Sequence, residues 1–373
     1  MDEPLNIAAI VPYPVYPAKM GGQKGIALFY QYLAEKIPVT IITTGKHQAS
    51  DFASNFLPML GTSKLRYINP LLFFKLKKIF ATNKYSHLVL EHPYYGWLGI
   101  MLKRACKIKL VIHSHNIESL RFKSTGKWWW KILWNYEKFA HRNADINFFI
   151  TDEDRSFGIK EFKLSPAKCH TITYGIEMNV TPFLEEKQQA RKKINELYNI
   201  RPDEKLLFFN GTLSYKPNLD AVDVIIKYIN PQLQALKNFS YKIIICGKSL
   251  PASYKNMEPW INNNIIYAGF VDDITIYFKA ADIFINPVSD GGGIKTKLVE
   301  ALGYNVSSVS TISGATGLSL HITGEKLHLV PDGDWTKFTN EIITLSVNDN
   351  TPETFYDHFF WGNIAKKVVD ILN

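Results

Sequence analysis

Short apolar runs recur along the chain, each followed by a longer stretch in which apolar positions return every three or four residues. In the first half the runs are LNIAAIV, PVTIITT, SHLVLEH, KLVIHSH and ADINFFIT. In the second half they are KLLFFNGTL, SYKIIICG, NNIIYAGF, ADIFINPV and NVSSVST. Runs that stay apolar from end to end suit strands buried on both faces, the situation of a parallel sheet covered by helices. The strand-then-helix rhythm occurs twice, so the pattern predicts an α/β chain with two Rossmann-like, doubly wound domains.

The break is expected where CHTITYGIEMNVTPF closes a strand with a glycine turn and Pro182 follows, giving a linker near residues 175–185. Residues 1–178 then form the N-terminal domain and residues 179–355 the C-terminal one. Ligands of open parallel sheets bind beyond the carboxyl ends of the strands, so two such domains facing each other are expected to make a cleft. There is no internal repeat beyond this duplication, and no low-complexity tract.

Composition narrows the classes. At 373 residues, 46% of them hydrophobic, the chain is globular and too long for one ordinary core. The net charge of +9 is uneven: the first 170 residues hold 24 of the 43 Lys and Arg but only 12 of the 34 Asp and Glu. The basic half favours an anionic partner, whether nucleic acid, acidic membrane or phosphorylated acceptor. No nucleic-acid recognition motif accompanies the charge, so nucleic acid is not expected. The opening MDEPLNIAAIVPYP lacks a basic segment and a cleavage site, and no uncharged run approaches the ~20 residues of a membrane span. Three widely spread cysteines make neither a disulfide framework nor a zinc pattern, and a cytoplasmic location is expected.

Several turns carry candidate chemistry. After the first strand, PYPVYPAKMGGQKG places Gly21 and Gly22 ahead of a helix expected to begin near Gly25, where main-chain N–H groups can approach an anion. It is neither a dinucleotide fingerprint nor a P-loop. KLVIHSHNIES ends a strand with His113 and His115 on the same side. In NGTLSYKPNLDAV, Lys216 precedes a helix expected to start at Pro217. NPVSDGGGIKTKLVEALG reads as strand end, glycine turn and helix. A helix N-terminus attracts negative charge by roughly 0.3–1 kcal/mol per interaction. Lys295 and Lys297 in that first turn oppose the dipole unless an anion lies beside them, the kind of local conflict found at functional sites. Glu300 follows one turn later, to pair with Lys297 or to accept from a ligand's hydroxyls. Two D-x-D patterns, Asp152 with Asp154 and Asp332 with Asp334, read as a helix start and a glycine turn, and no metal is expected.

Together GGQKG, HSHNIES, NGTLSYKPNLDAV, ICGKS, IIYAGFVDDITIYFKAADIFINP, KLVEALG and SGATGL resemble the retaining nucleotide-sugar glycosyltransferases of the GT-B fold, family 4 type, over essentially the whole chain. The ending FFWGNIAKKVVDIL is similar to the family's last helices, which implies that residues 356–373 cross back to the first domain. The resemblance implies that Gly21 and Gly22 face the donor phosphates and that His115 lies near the transferred sugar. Lys216, Lys295 and Lys297 would bind phosphate, with catalytic weight on His115, Lys216 and Lys297. Gly247, Phe270 and Val271 would border the base, Gly291, Gly292 and Gly293 the phosphates, and Glu300 the ribose. Where the commoner pattern has a glutamate this chain has Gly292, so sugar recognition would pass to Asp290 or to backbone; the arginine after NG is replaced by Thr212, Leu213 and Ser214. The implied donor is a UDP- or GDP-sugar, with no further cofactor, and the acceptor a saccharide or lipid-linked saccharide of cell-surface polysaccharide or glycolipid synthesis. A nucleotide-sugar epimerase on the same fold, or a noncatalytic sugar- or membrane-binding relative, are the rival implications.

FKSTGKWWWKILWNYEKFAHRNAD interleaves four tryptophans with Lys123, Lys127, Lys131 and Lys138, and PLLFFKLKKIFATNK is a second basic, aromatic helix. Such helices lie at anionic membrane surfaces, or pack one face on a core; most of the tryptophans are expected to do the latter. A peripheral site at the inner membrane face is the corresponding location.

Overall fold

The computed structural model describes residues 4–18, 21–45, 55–236, 238–346 and 349–373. The chain forms two compact units: Met1–Gly175 with Gly292–Ile294 and Trp361–Asn373, and Ile176–Gly291 with Lys295–Phe360. The change-overs fall at Gly175/Ile176 and Phe360/Trp361. The helix Glu353–Phe359 therefore belongs to the second unit and only Trp361–Leu372 to the first, so the return to the first unit starts later than residue 356.

The first unit holds a seven-stranded parallel sheet. Its strands are β1 (Ile7–Ile10), β2 (Val39–Thr43), β3 (Asn55–Pro58), β4 (His87–Glu91), β5 (Lys109–Ser114), β6 (Ile146–Phe149) and β7 (Cys169–Thr171), in the order β3-β2-β1-β4-β5-β6-β7. The second unit has β8 (Lys205–Asn210), β9 (Tyr241–Cys246), β10 (Ile265–Gly269), β11 (Ile283–Asn286), β12 (Ser307–Thr311) and β13 (Leu327–Val330), in the order β10-β9-β8-β11-β12-β13. All pairs are parallel. Strand order reverses between β1 and β4 in one sheet and between β8 and β11 in the other, and such switch points open crevices at the carboxyl ends.

Each of the ten apolar runs contains a strand. Of the three strands outside those runs, β7 lies in CHTITYG, where a strand was expected before the glycine turn, and the two that the pattern missed, β3 and β13, lie at sheet edges and keep residues that are only partly covered, so they lack the continuous apolar signal. Central strands are buried throughout, as in Ile7–Ile10, Val39–Thr43 and Ile283–Asn286. The first core joins Ala8, Ile10, Leu88, Leu90, Leu110 and Ile112 to the flanking helices, and the second joins Leu207, Phe209, Ile243, Ile245, Ile283 and Ile285. Trp361 opens the last helix beside Phe29 and Tyr174, over Gly175, where a β-carbon would come within 2.5 Å of its indole.

Candidate active site

In the second unit, β8 and β11 are neighbours and each ends in asparagine, Asn210 and Asn286. Asn286 is fully buried, and its Nδ2 donates to Ser310 Oγ and to Gly314 O. The Oδ1 atoms of both asparagines are buried and unpartnered. Just beyond β8, Asn218 lays its amide across the Gly211–Thr212 turn: Nδ2 donates to Thr212 O, and a β-carbon on Gly211 would lie 2.6 Å from it.

Lys297 reaches this place from the helix Thr296–Gly303. Its Nζ donates to Asn218 Oδ1 at 3.0 Å and stands 4.0 Å from the centroid of the Phe209 ring. Burial, and then the neighbouring Lys295, pushes its pKa well below 10.5. No carboxylate pairs with it among the described residues, so a cation is desolvated here without a counter-charge, an arrangement that invites an anion.

The glycine turn differs in detail from its expected form. The helix begins at Thr296, with Lys295 as its N-cap, and the Lys295 ammonium donates to Gly291 O within the turn. Gly291 and Gly293 take φ of +93° and +70°, the left-handed region that residues with a β-carbon disfavour. Asp290 is exposed, and its Oδ1 accepts from the next N–H, that of Gly291. Gly292 is exposed, and Glu300 sits partly buried on the helix; Lys297 is held by Asn218 rather than by Glu300. Leu213, standing near the expected arginine position, is buried in the core.

Gly247 follows β9 and Phe270 follows β10, two neighbouring strands tied by Gly247 N–H donating to Gly269 O. Phe270 is 68% exposed and Val271 partly buried. A β-carbon on Gly247 would lie 2.0 Å from Gly211 O, so this glycine is required by packing. Lys216 is the first residue of the helix Lys216–Val224, not part of the preceding loop, and pairs on the surface with Asp220 at 2.5 Å, its side chain 79% exposed. Surface pairing at (i, i+4) on a helix accounts for that position without a ligand.

In the first unit a polar cluster occupies the carboxyl ends of β4 and β5. Sheet register sets Glu91 opposite His113, and the two-residue period carries His115 to the same side. Glu91 is buried; burial acts to raise its carboxyl, but His113 and His115 outweigh that and hold it well below the usual range. Next to it His92 adopts φ 66°, ψ 158°, a conformation normally left to glycine that costs on the order of 1–3 kcal/mol. His92 Nε2 meets Tyr13 Oη at 3.0 Å, Nδ1 lies 3.3 Å from Glu118 Oε1, and its ring centroid is 4.9 Å from that of His115. Against the pull of burial, His92 and Arg121 lower Glu118 to about 2. Strain and a second buried carboxylate at a switch point make Glu91, His92 and Glu118 candidate site residues. The adjacent Glu-His at the end of an apolar run was the available signal for the first two.

Gly21 and Gly22 are the first residues of the helix Gly21–Ala34, which therefore starts four residues before Gly25. A β-carbon on Gly22 would meet nothing within 4 Å, whereas Gly25 packs on the Tyr174 ring. In the D-x-D pairs, Thr151 caps the helix Asp152–Glu161 and Asp152 accepts from Thr171, while Asp334 caps Trp335–Thr344 and Asp332 accepts from Ser313.

Two family models match the chain, Glycosyltransferase Family 4 over residues 21–180 and Glycosyl transferases group 1 over residues 204–348. With the two parallel, switch-point sheets they define its class: the chain belongs to the group 1 glycosyltransferases of the GT-B fold and is a glycosyltransferase. An uncharacterized glycosyltransferase of Methanocaldococcus jannaschii is 24% identical over 314 residues, covering 79% of this chain and 76% of the relative. An uncharacterized 44.6 kDa protein in the cps region of Klebsiella pneumoniae is 23% identical over 368 residues, 89% of each chain. Among solved structures, Anabaena HepE in complex with UDP-glucose shares the fold with a TM-score of 0.70 at 14% identity, over 98% of each chain.

Proposed function

We propose that this glycosyltransferase moves a sugar from a nucleoside-diphosphate sugar to a saccharide or lipid-linked acceptor of cell-surface polysaccharide or glycolipid synthesis, with retention at the anomeric carbon. The observation that carries the reading is Lys297: an ammonium against Phe209 and Asn218, lacking a carboxylate partner among the described residues, at the amino end of a helix. A diphosphate supplies the missing charge. When the bond between the anomeric carbon and the phosphate oxygen breaks, the electron pair stays on the diphosphate, and Lys297 and the helix N-terminus stabilise it. The acceptor oxygen bonds to the same face of the anomeric carbon, and its proton passes to the departing diphosphate. Lysine supplies the positive charge in this scheme, which therefore needs no metal. The Klebsiella relative's cps setting favours a polysaccharide context, and the HepE complex makes UDP-glucose the first donor to try.

A thermal-shift panel of UDP-, GDP- and ADP-sugars tests the donor, since a ligand at 100 times its Kd stabilises by about 2.7 kcal/mol. One member is expected to raise Tm, and NMR of the product should show the anomeric configuration of the donor. No shift at millimolar ligand from any of them would overturn the reading.

The first unit also offers an acceptor-side surface. Trp128 is 83% exposed, and Ile132 and Phe139 project from the helix Trp130–Asn143, whose other face buries Glu137, Ala140 and His141. Lys123 and Lys131 flank Trp130, and Lys138 covers Trp134. Leu71 and Phe74 are likewise exposed among Lys75, Lys77 and Lys78 on the helix Leu71–Asn83. Exposed apolar groups among lysines fit the interface of an anionic bilayer, where a lipid-linked acceptor resides. Among the described residues no helix is long and apolar enough to cross a membrane.

A further inference from the structure

Within the first unit, a buried carboxylate is left without a lysine or arginine. Glu91 is fully covered, and among the described residues its only ion-pair partners are two histidines. Tyr30 Oη lies at 2.5 Å and His113 Nδ1 at 3.1 Å from Oε1, and His115 Nε2 lies at 2.5 Å from Oε2. A carboxylate taken out of water needs hydrogen bonds and a positive charge beside it. A neutral imidazole gives the first but not the second, and His113 is itself too buried to carry a charge cheaply.

The same atoms form a ligand set. A carboxylate oxygen of Glu91, His113 Nδ1 and His115 Nε2 lie within 4.8 Å of one another. Four-coordinate zinc, with bonds of about 2.0–2.2 Å, holds its ligand atoms roughly 3.3–3.6 Å apart. The 3.1 Å contact is already close to that spacing, and the 2.5 Å contact has to open by about an ångström. To coordinate, each ring gives up the hydrogen that faces Glu91. In a neutral ring it passes to the other nitrogen, and a doubly protonated ring releases it to solvent. His113 Nε2 is buried and unpartnered with or without a metal, so that shift adds no further misfit in kind. Tyr30 can go on donating to Oε1, as outer partners of metal-bound carboxylates do. His115, with 17% of its side chain accessible, supplies the way in.

We propose that Glu91, His113 and His115 form a binding site for one Zn2+ at the carboxyl ends of β4 and β5, with its fourth position left to water. Two histidines and a glutamate are a ligand set zinc accepts in this open form. The ion brings the charge that the buried carboxylate lacks and ties the two strand ends together. The ligands stand 22 and 24 residues from Glu91 and meet only through register, so the metal-free expectation drawn from the D-x-D pairs does not bear on them. Transfer as proposed draws its charge from Lys297, and this ion is additional to it. The site belongs to the first unit alone and does not rest on the transfer reading.

The test is calorimetric titration of the full chain, stripped with chelator and dialysed, with Zn2+ alone. One equivalent is expected to bind, to stay bound through gel filtration and to raise Tm with concentration, as a ligand of the folded state does. Co2+ in its place should show the intense visible bands of four-coordinate cobalt. In 15N-histidine NMR, His113 Nδ1 and His115 Nε2 should be displaced together. Tyr30→Phe removes only the outer hydrogen bond and should weaken binding about tenfold, whereas His115→Gln removes a ligand and should weaken it by more than about a hundredfold. His328→Gln, at a histidine paired with Glu341 in the second unit, should change nothing.

Zn2+ that binds equally well to His115→Gln, or that displaces His328 and leaves His113 unmoved, is held at the surface and overturns the proposal. So does an unaltered chain that takes up no Zn2+. If His115→Gln does not fold, the cobalt spectrum and the paired ring shifts of the unaltered chain still decide the matter. A chain that binds Zn2+ as expected but that no nucleotide sugar stabilises upholds the site and refutes the transfer reading. One stabilised by UDP-glucose and indifferent to Zn2+ does the reverse.

Discussion

The Lys297 ammonium rests 4.0 Å from the centre of the Phe209 ring, so a cation is held against an aromatic face at the end of β8. Burial first, and Lys295 second, lowers its pKa well below 10.5. The unfolded chain therefore binds this proton more readily than the folded one. Below the folded pKa the group opposes folding in full, and the opposition fades as pH rises from the folded pKa toward 10.5. Lys297→Met should melt higher than the unaltered chain at pH 7, with the difference shrinking by pH 10, and should lose about 10²–10³-fold in turnover. Calorimetric melts at the two pH values and a transfer assay check both halves.

Gly22 and Gly247 should respond oppositely to the same methyl group. Gly22→Ala adds a β-carbon in open space in the first turn of a helix and should stabilise the fold by about 0.4–1 kcal/mol. If a diphosphate lies against this turn, the methyl should weaken UDP-glucose binding about tenfold through overpacking. Gly247→Ala would set a β-carbon 2.0 Å from backbone oxygen and should cost about 3 kcal/mol or more. Urea unfolding and titration calorimetry separate the two effects.

Glu137 gives a pH signature unrelated to the ligand. Its buried carboxylate accepts from Glu118 N–H at 2.9 Å and Ser119 N–H at 3.0 Å, at the start of the helix Glu118–Ser124. Burial nonetheless raises it to about 7 from 4.5. The folded chain then holds a proton that the unfolded chain has released, so stability falls as pH rises from 4.5 to about 7, by roughly 3 kcal/mol in all. Glu137→Gln should flatten that slope in melts at pH 5, 6, 7 and 8.

Trp128→Ser with Lys131→Glu should leave Tm within about 1 °C, because substitutions at exposed positions usually change stability by no more than about 0.5 kcal/mol. The same pair should abolish sedimentation with anionic liposomes at low salt. Binding that persists in the double variant, or that ignores lipid charge from the start, refutes the membrane surface on this helix.

Legibility followed burial. The ten runs were legible because apolar or β-branched residues recur through them, even at the edge strand β10, while β3 and β13 escaped notice as short, partly exposed edges. Lys297 could be singled out because a lysine in a first helical turn contradicts local preference. Lys216 looked equivalent by spacing, but its surface partner Asp220 sits on its own helix, and spacing does not reveal which way a side chain turns. Glu91 and His92 were passed over because a carboxylate at a strand end resembles any solvated turn residue until register sets it opposite a histidine.

By itself the sequence determined the class of fold, two parallel sheets wrapped in helices, and the glycine turns, because periodicity and backbone freedom are local properties of the chain. Tertiary structure alone decided which groups meet: Glu91 with His113, His115 and Tyr30, Lys297 with Phe209 and Asn218, Gly247 with Gly211. These partners are from about 20 to nearly 90 residues apart, and only strand order and register, which no local pattern encodes, bring them within a few ångströms of one another.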